Sequence, residues 1–222
     1  MSNEFFALPT GSARRASPRR LALRAALAIC VLAPLGMVAA PAQAQFSKAY
    51  EFLDHVKKGE AQDVQDALTG SGATLINTRD VTSGDTALII VTRRRDLTWI
   101  SFLLGKGADP NIRNVRDETP LTIAASLGFV EGVNLLLQQG AQPDQPDKTT
   151  GETPLIFATL RRDLPTIRAL LAGGANPDRT DSTGRSAREY AERYGKDSAI
   201  AQALESAAKS KAGKASAYGP AL

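Results

Sequence analysis

A short motif returns along this chain at an almost constant interval, and that period limits the possible folds more than any other feature. Gly84-Asp85-Thr86-Ala87-Leu88 recurs as Asp117-Glu118-Thr119-Pro120-Leu121 and as Gly151-Glu152-Thr153-Pro154-Leu155. A weaker copy reads Gly184-Arg185-Ser186-Ala187-Arg188. The hydroxyl residue falls at 86, 119, 153 and 186, spacings of 33, 34 and 33. A second marker keeps the same beat: Gly107-Ala108-Asp109-Pro110-Asn111, Gly140-Ala141-Gln142-Pro143-Asp144 and Gly174-Ala175-Asn176-Pro177-Asp178. An earlier copy, Gly72-Ala73-Thr74-Leu75-Ile76-Asn77, carries one extra residue. Periods of this length mark supersecondary units that are stable only when stacked.

Each unit reads as two short helices. In the unit from 114 to 147, Thr119 is placed to accept a hydrogen bond from an orphan amide of the first turn, as an N-cap does. Pro120 sits at the first helical position, where its missing N–H costs nothing. Leu121, Ala124 and Ala125 make a narrow apolar stripe, and Gly128 ends the helix in a conformation that suits a residue without a Cβ. The second helix turns Val133, Leu136 and Leu137 inward, with Leu135 as a further apolar contact. Gly140 ends that helix and Pro143 stops any continuation. Helices this short are marginal alone, so the units must bury their stripes against one another.

These residues resemble the ankyrin repeat, whose pattern is G-x-T-P-L-x-x-A-A, a glycine, then V-x-x-L-L-x-x-G-A-x-P/V-N/D. The resemblance implies an all-α solenoid of about five helix-turn-helix repeats joined by hairpin loops. Units 81–113, 114–147 and 148–180 match strongly. Unit 48–80 reads as a degenerate N-terminal cap with Gly59, Val64 and Leu68. Unit 181–208 reads as a C-terminal cap in which Arg188, Glu189 and Glu192 replace apolar or small residues. Terminal repeats need such polar outer faces. Two departures stand out. The family's histidine after the T-P-L leucine is replaced by Ile89, Thr122 and Ile156, so its bonds between successive loops are expected to be missing. The glycine ending the first helix is replaced by Arg95 and Arg162, where a left-handed side chain costs about 1 kcal/mol.

The termini fall outside the repeat. Arg14, Arg15, Arg19, Arg20 and Arg24 precede an apolar run from Ala25 to Ala40, and Ala42-Gln43-Ala44 follows as an A-x-A site. Charged head, apolar stretch and small-residue exit predict a signal peptide over 1–44, with cleavage after Ala44. The run is interrupted at Pro34 and Gly36 and is short for a membrane span, so no lasting anchor is expected. Arg19-Arg20-Leu21-Ala22-Leu23 is a loose twin-arginine pattern, and Ile29 before Cys30 argues against lipidation. The expected compartment is periplasmic or extracellular. Residues 45–208 form the repeat domain, and 209–222 are expected to be a disordered basic tail.

Five of the 27 basic residues and one of the 23 acidic ones lie in the signal, which leaves 22 of each beyond it. The basic balance therefore belongs to the leader, and with it goes any general electrostatic case for nucleic acid or membrane surfaces. The sole cysteine, Cys30, and both methionines, Met1 and Met37, lie in the same segment. The remainder is held together without disulfides and lacks the residues most easily oxidised. One histidine, His55, without a cysteine beside it makes no zinc site. It is expected on a helix face with its tip in solvent. No phosphate-binding glycine loop is present, and the carboxylates fall in loops or at helix starts, where capping explains them. Neither catalytic residues nor a cofactor site are expected.

The resemblance also implies where partners dock, namely on the hairpin tips and on the concave palm lined by the first helices. Carried onto this sequence, the hairpin positions include Asp85, Arg113, Val115, Arg116, Glu118, Thr150, Glu152 and Arg185. The ends of the first helices supply Arg93, Arg94, Ser126, Leu127, Leu160, Arg161, Arg193 and Tyr194. An apolar centre of Leu127, Leu160 and Tyr194 with arginines around it has the composition of a protein-binding hot spot. An acidic protein partner is the expectation, bound by a monomer. The competing reading is a solvated face, with Arg93 and Arg94 or Arg161 and Arg162 partly paired to Asp96 and Asp163. Those two aspartates are also plausible N-caps of the second helices, and Trp99 takes an inward place. Two functional alternatives stay open: an immunity-type protein guarding against a toxin or enzyme, and an enzyme with an unrecognised carboxylate site.

Overall fold

A computed structural model describes residues 40–71, 74–195 and 198–216. The chain divides into two compact units, Met1–Phe46 and Ser47–Leu222. Of the first, residues 40–46 are described, and they are helical. Most of the expected signal segment therefore lies outside the described residues.

The described residues form ten helices in chain order: α1 (Ala40–Lys58), α2 (Ala61–Ser71), α3 (Ala87–Arg93), α4 (Leu97–Gly105), α5 (Pro120–Leu127), α6 (Val130–Gln138), α7 (Pro154–Leu160), α8 (Leu164–Ala172), α9 (Ala187–Glu192) and α10 (Ala199–Ser216). Strand character among the described residues is limited to two isolated antiparallel bridges, Arg79 with Thr86 and Thr180 with Ser186. The fold is the all-α repeat stack that the period predicts.

The local signals act as read. Thr86, Thr119, Thr153 and Ser186 each accept from the amide three residues on, at the N-termini of α3, α5, α7 and α9. At α5 the exchange is reciprocal, because Thr122 Oγ1 accepts from the Thr119 amide at 2.7 Å. Thr122, at one of the family's histidine positions, is thus spent on its own helix. At the other two, Ile89 and Ile156 are fully buried. Asp96 and Asp163 cap α4 and α8 through the amides of Trp99 and Thr166.

Helices of six to nine residues gain little from their own hydrogen bonds. Their stability comes from neighbours on three sides. The first helix of each full repeat packs on its own second helix and on the first helix of the next repeat: α3 on α4 and α5, α5 on α6 and α7, α7 on α8 and α9. Second helices form a parallel row, α4 on α6, α6 on α8 and α8 on α10. One continuous core results, running from Phe52, Val56 and Val64 through Leu88, Leu103, Leu121, Leu136, Leu155 and Leu170 to Leu204. Each such side chain contributes roughly 1.5–3 kcal/mol on burial. Trp99 is partly buried against this core, edge-on to Phe102.

The C-terminal end differs from the sequence reading. The helix α10 continues to Ser216, past the disordered tail expected from Lys209. Alanine-rich composition favours helix, and Glu205 pairs with Lys209 at 3.0 Å one turn apart. Residues 217–222 lie outside the described residues.

Candidate partner-binding surface

The hairpins between repeats are built by one device used four times. Asp80, Asn114, Asp147 and Asp181 each turn a side-chain oxygen back onto two amides of their own loop. Such side chains mimic a backbone turn. The loop then exits through a left-handed residue: Gly84, Asp117, Gly151 or Gly184. At Gly151 the choice is forced twice. Its φ is +73°, and a Cβ there would lie 2.5 Å from the Ser182 amide nitrogen of the next hairpin.

Adjacent hairpins are stitched together. The Val115 amide donates to the Ser83 carbonyl and the Ser182 amide to the Thr150 carbonyl, both at 3.0 Å. Deeper in the loops, Asn77, Asn111 and Asp144 accept from the amides of Asp109, Gln142 and Asn176, at 2.9, 2.8 and 2.7 Å. This ladder joins successive loops without the family's histidine. At the corresponding position of the next loop, Asp178 takes the Arg188 guanidinium instead.

Most of the arginines expected to reach for a partner are held inside the protein. Arg93 Nη2 lies 2.5 Å from Glu118 Oε2 and 3.6 Å from Asp85 Oδ1, bridging two consecutive hairpins. Arg94 Nη1 donates to the carbonyls of Val56 and Lys57, where it closes the C-terminal end of α1, and its Nη2 contacts Asp96 at 3.1 Å. Arg113 donates to the Asp117 carbonyl at 3.0 Å. Arg116 Nε reaches Glu118 at 3.0 Å. Glu118 is the hub: burial raises its carboxyl, but Asn114, Arg93 and Arg116 outweigh that and hold it below the usual carboxylate range.

What stays open lies at the ends of α5 and α7. Leu127 is 38% exposed and Leu160 is 40% exposed, whereas Leu121 and Leu155 in the first turn of the same helices are buried. Arg161 lies beside them, exposed. Tyr194 is half-buried, its ring under the Arg162 guanidinium at 4.0 Å and its hydroxyl donating to the Leu160 carbonyl at 3.4 Å. The structure therefore groups Leu127, Leu160, Arg161 and Tyr194 on three consecutive repeats. It places Arg93, Arg94, Arg113 and Arg116 in bonds between or within repeats. Sequence reasoning missed Glu152 as distinct from Glu118. Among the described residues, the Glu152 carboxylate accepts from the Thr150 hydroxyl alone, at 3.2 Å. Burial first, then the charges of Asp181 and Asp147, push its carboxyl above the usual range.

His55 lies on a face of α1, as expected, with its side chain partly exposed. Its Nδ1 lies 2.5 Å from Glu60 Oε2, and that bond raises the imidazole above its ordinary value. The ring is thus bonded through Nδ1 to the residue just before α2. His55, Glu60 and Asp63 offer ligand atoms within 4.8 Å of one another. A cation there would have to displace the His55–Glu60 bond. No described helix is long and apolar enough to cross a membrane.

This geometry defines a helical-repeat scaffold: short helix pairs, stitched hairpins and a surface exposed along one row of helix ends. Residues 52–147 match the family description "Ankyrin repeats (3 copies)" and residues 150–182 match "Ankyrin repeat". The chain belongs to the ankyrin-repeat family, a module of protein–protein interaction. It is also similar to the mouse protein "Ankyrin repeat and MYND domain-containing protein 1", 47% identical over 55 residues. That stretch is 25% of this chain and spans 6% of the relative's length.

Proposed function

We propose that this protein is an exported, non-catalytic adaptor that binds one partner protein through the row of first-helix ends at Leu127, Leu160, Arg161 and Tyr194. The observation that supports this most is the pair of neighbouring leucines left exposed in consecutive repeats, in a surface where the adjoining arginines are satisfied internally. An aliphatic pair rimmed by an uncompensated arginine and a tyrosine has the make-up of a binding hot spot. Arg161 suits a carboxylate on the partner. Export is proposed from the arginine-rich head, the apolar run and the A-x-A site of residues 1–44.

Two measurements test the reading. The mass of the protein isolated from its native host should correspond to a chain beginning at Gln45; an intact Met1 terminus would reject export by cleavage. The triple variant Leu127→Ser, Leu160→Ser, Arg161→Ala should melt within a few degrees of the native protein and lose its co-purifying partner. Full retention of that partner would move the binding surface elsewhere.

A further inference from the structure

The repeats offer an internal comparison that the ordinary view of the palm overlooks. The residue immediately before each first-helix N-cap is Asp85, Glu118, Glu152 and Arg185 in successive repeats. The position seven residues after each N-cap carries Arg93, Ser126, Leu160 and Arg193. In the first step along the stack, Arg93 spans the acids of its own and the following repeat, Asp85 at 3.6 Å and Glu118 at 2.5 Å. In the next step the acids are Glu118 and Glu152, and the place of the arginine is taken by Ser126. The Ser126 hydroxyl turns back to the Ile123 carbonyl at 2.9 Å and spans nothing.

Glu152 is therefore a carboxylate whose repeat-mate is clamped by a guanidinium while it is not. The charges acting on it are negative, from Asp181 and Asp147; burial first, and then those charges, push its carboxyl above the usual range. The cations nearest in sequence do not serve it: Lys148 pairs with Asp117 at 3.1 Å, and Arg185 forms no ion pair among the described residues. Asp147 and Asp181 are spent on their own turns. A metal ion would find one available carboxylate there, too few for a divalent cation. Ser126 is flanked in sequence by the exposed Leu127 and lies one repeat from Leu160, so an extended side chain arriving at Glu152 can lay its methylenes along apolar surface, as long basic side chains do.

We propose that Glu152 receives an arginine or lysine side chain of the bound partner, in the place that Arg93 fills one repeat earlier. This rests on the palm being the binding face and adds its chemistry: a basic residue seated at Glu152 with aliphatic contacts to Leu127 and Leu160. Arg161, at the other end of α7, serves a separate carboxylate, so the partner's contact segment carries both signs.

The test uses the full chain and three acetylated, amidated peptides, leucine-alanine-X-alanine-leucine, with arginine, norleucine or glutamate at X. Calorimetric or fluorescence titration should show the arginine peptide binding at least ten-fold more tightly than the norleucine peptide. Glu152→Gln should remove that preference. Ser126→Arg supplies the cation from within, so it should also abolish arginine-peptide binding and, by carboxyl NMR, lower the Glu152 titration midpoint. A preference that survives Glu152→Gln, or an arginine peptide that fails to bind at millimolar concentration, overturns the proposal. If the glutamate peptide alone binds and is lost in Arg161→Ala, the palm remains the binding face and the cation seat at Glu152 is rejected. Circular dichroism melts of all three variants separate loss of binding from loss of fold.

Discussion

Arg95 and Arg162 occupy a backbone conformation that glycine holds at Gly128 and Gly195, with φ of 57° each. The cost, about 1 kcal/mol relative to glycine, follows from the Cβ alone, and it was legible in the sequence. The compensation was not. Arg95 lies over the Phe129 ring at 5.4 Å and Arg162 over the Tyr194 ring at 4.0 Å, each reaching into the next repeat. Only the register of the stack brings those residues together. A guanidinium–ring contact of this kind contributes about 0.5–1 kcal/mol, close to the backbone cost. Arg162→Gly should therefore be nearly neutral in urea unfolding, whereas Arg162→Ala keeps the strain, loses the ring contact and should be destabilised by roughly 0.5–1 kcal/mol. If Gly proved as damaging as Ala, the ring contact and not the backbone would dominate. The same lesson applies to the arginines of the palm. Their positions could be read from the motif, and so could the pairing of Arg94 with Asp96, but Arg93, Arg94, Arg113 and Arg116 find acids and carbonyls 2 to 38 residues away, and charge pattern alone does not show the longer-range pairings.

At the scale of the element, the hairpin is the part whose ends were predicted and whose inner wiring was not. The repeat spacing located the loops, and the threonines located the helix starts. The spacing did not reveal that an Asp or Asn opens every loop and folds it from within. Asp80 makes the case in energetic terms. The amides of Ser83 and Thr82, then Lys57, stabilise its charged form and lower its pKa to about 2. A carboxyl depressed in the folded state adds stability that is complete above its unfolded pKa, near 3.8, and that disappears as pH falls towards about 2. Asn114 does the same turn without charge, so Asp80→Asn keeps the loop bonds and removes only the ionic part. That variant should lose about 1 kcal/mol at neutral pH, allowing for solvent screening. The gap from the native protein should close between pH 4 and pH 2. Asp80→Ala, which loses the turn as well, should remain less stable throughout that range. Parallel urea titrations at stepped pH decide it; a gap independent of pH would assign the effect to geometry instead of charge.

For the stack as a whole, the decisive property is that each repeat touches only its neighbours. Stability in such an array is close to a sum of unit and interface contributions, so damage at one end need not spread to the other. The final interface is made by α10, whose Ile200, Ala201 and Leu204 are buried and which packs on α8 and α9. Leu204 is fully buried, and Leu204→Ala should cost about 2–4 kcal/mol by lost transfer energy and cavity formation. The loss should be local. Native-state hydrogen exchange should accelerate first for amides of α9 and α10, less for α7 and α8, and not measurably for α3 and α4. A uniform acceleration over every helix would show that the repeats open as one cooperative block, and the palm at α5 and α7 would then be as sensitive to its caps as to its own side chains. With local opening, Leu127, Leu160 and Arg161 at α5 and α7 keep their arrangement while the terminal helices fray, and Leu204→Ala should weaken partner binding only by the share that Tyr194, between α9 and α10, contributes.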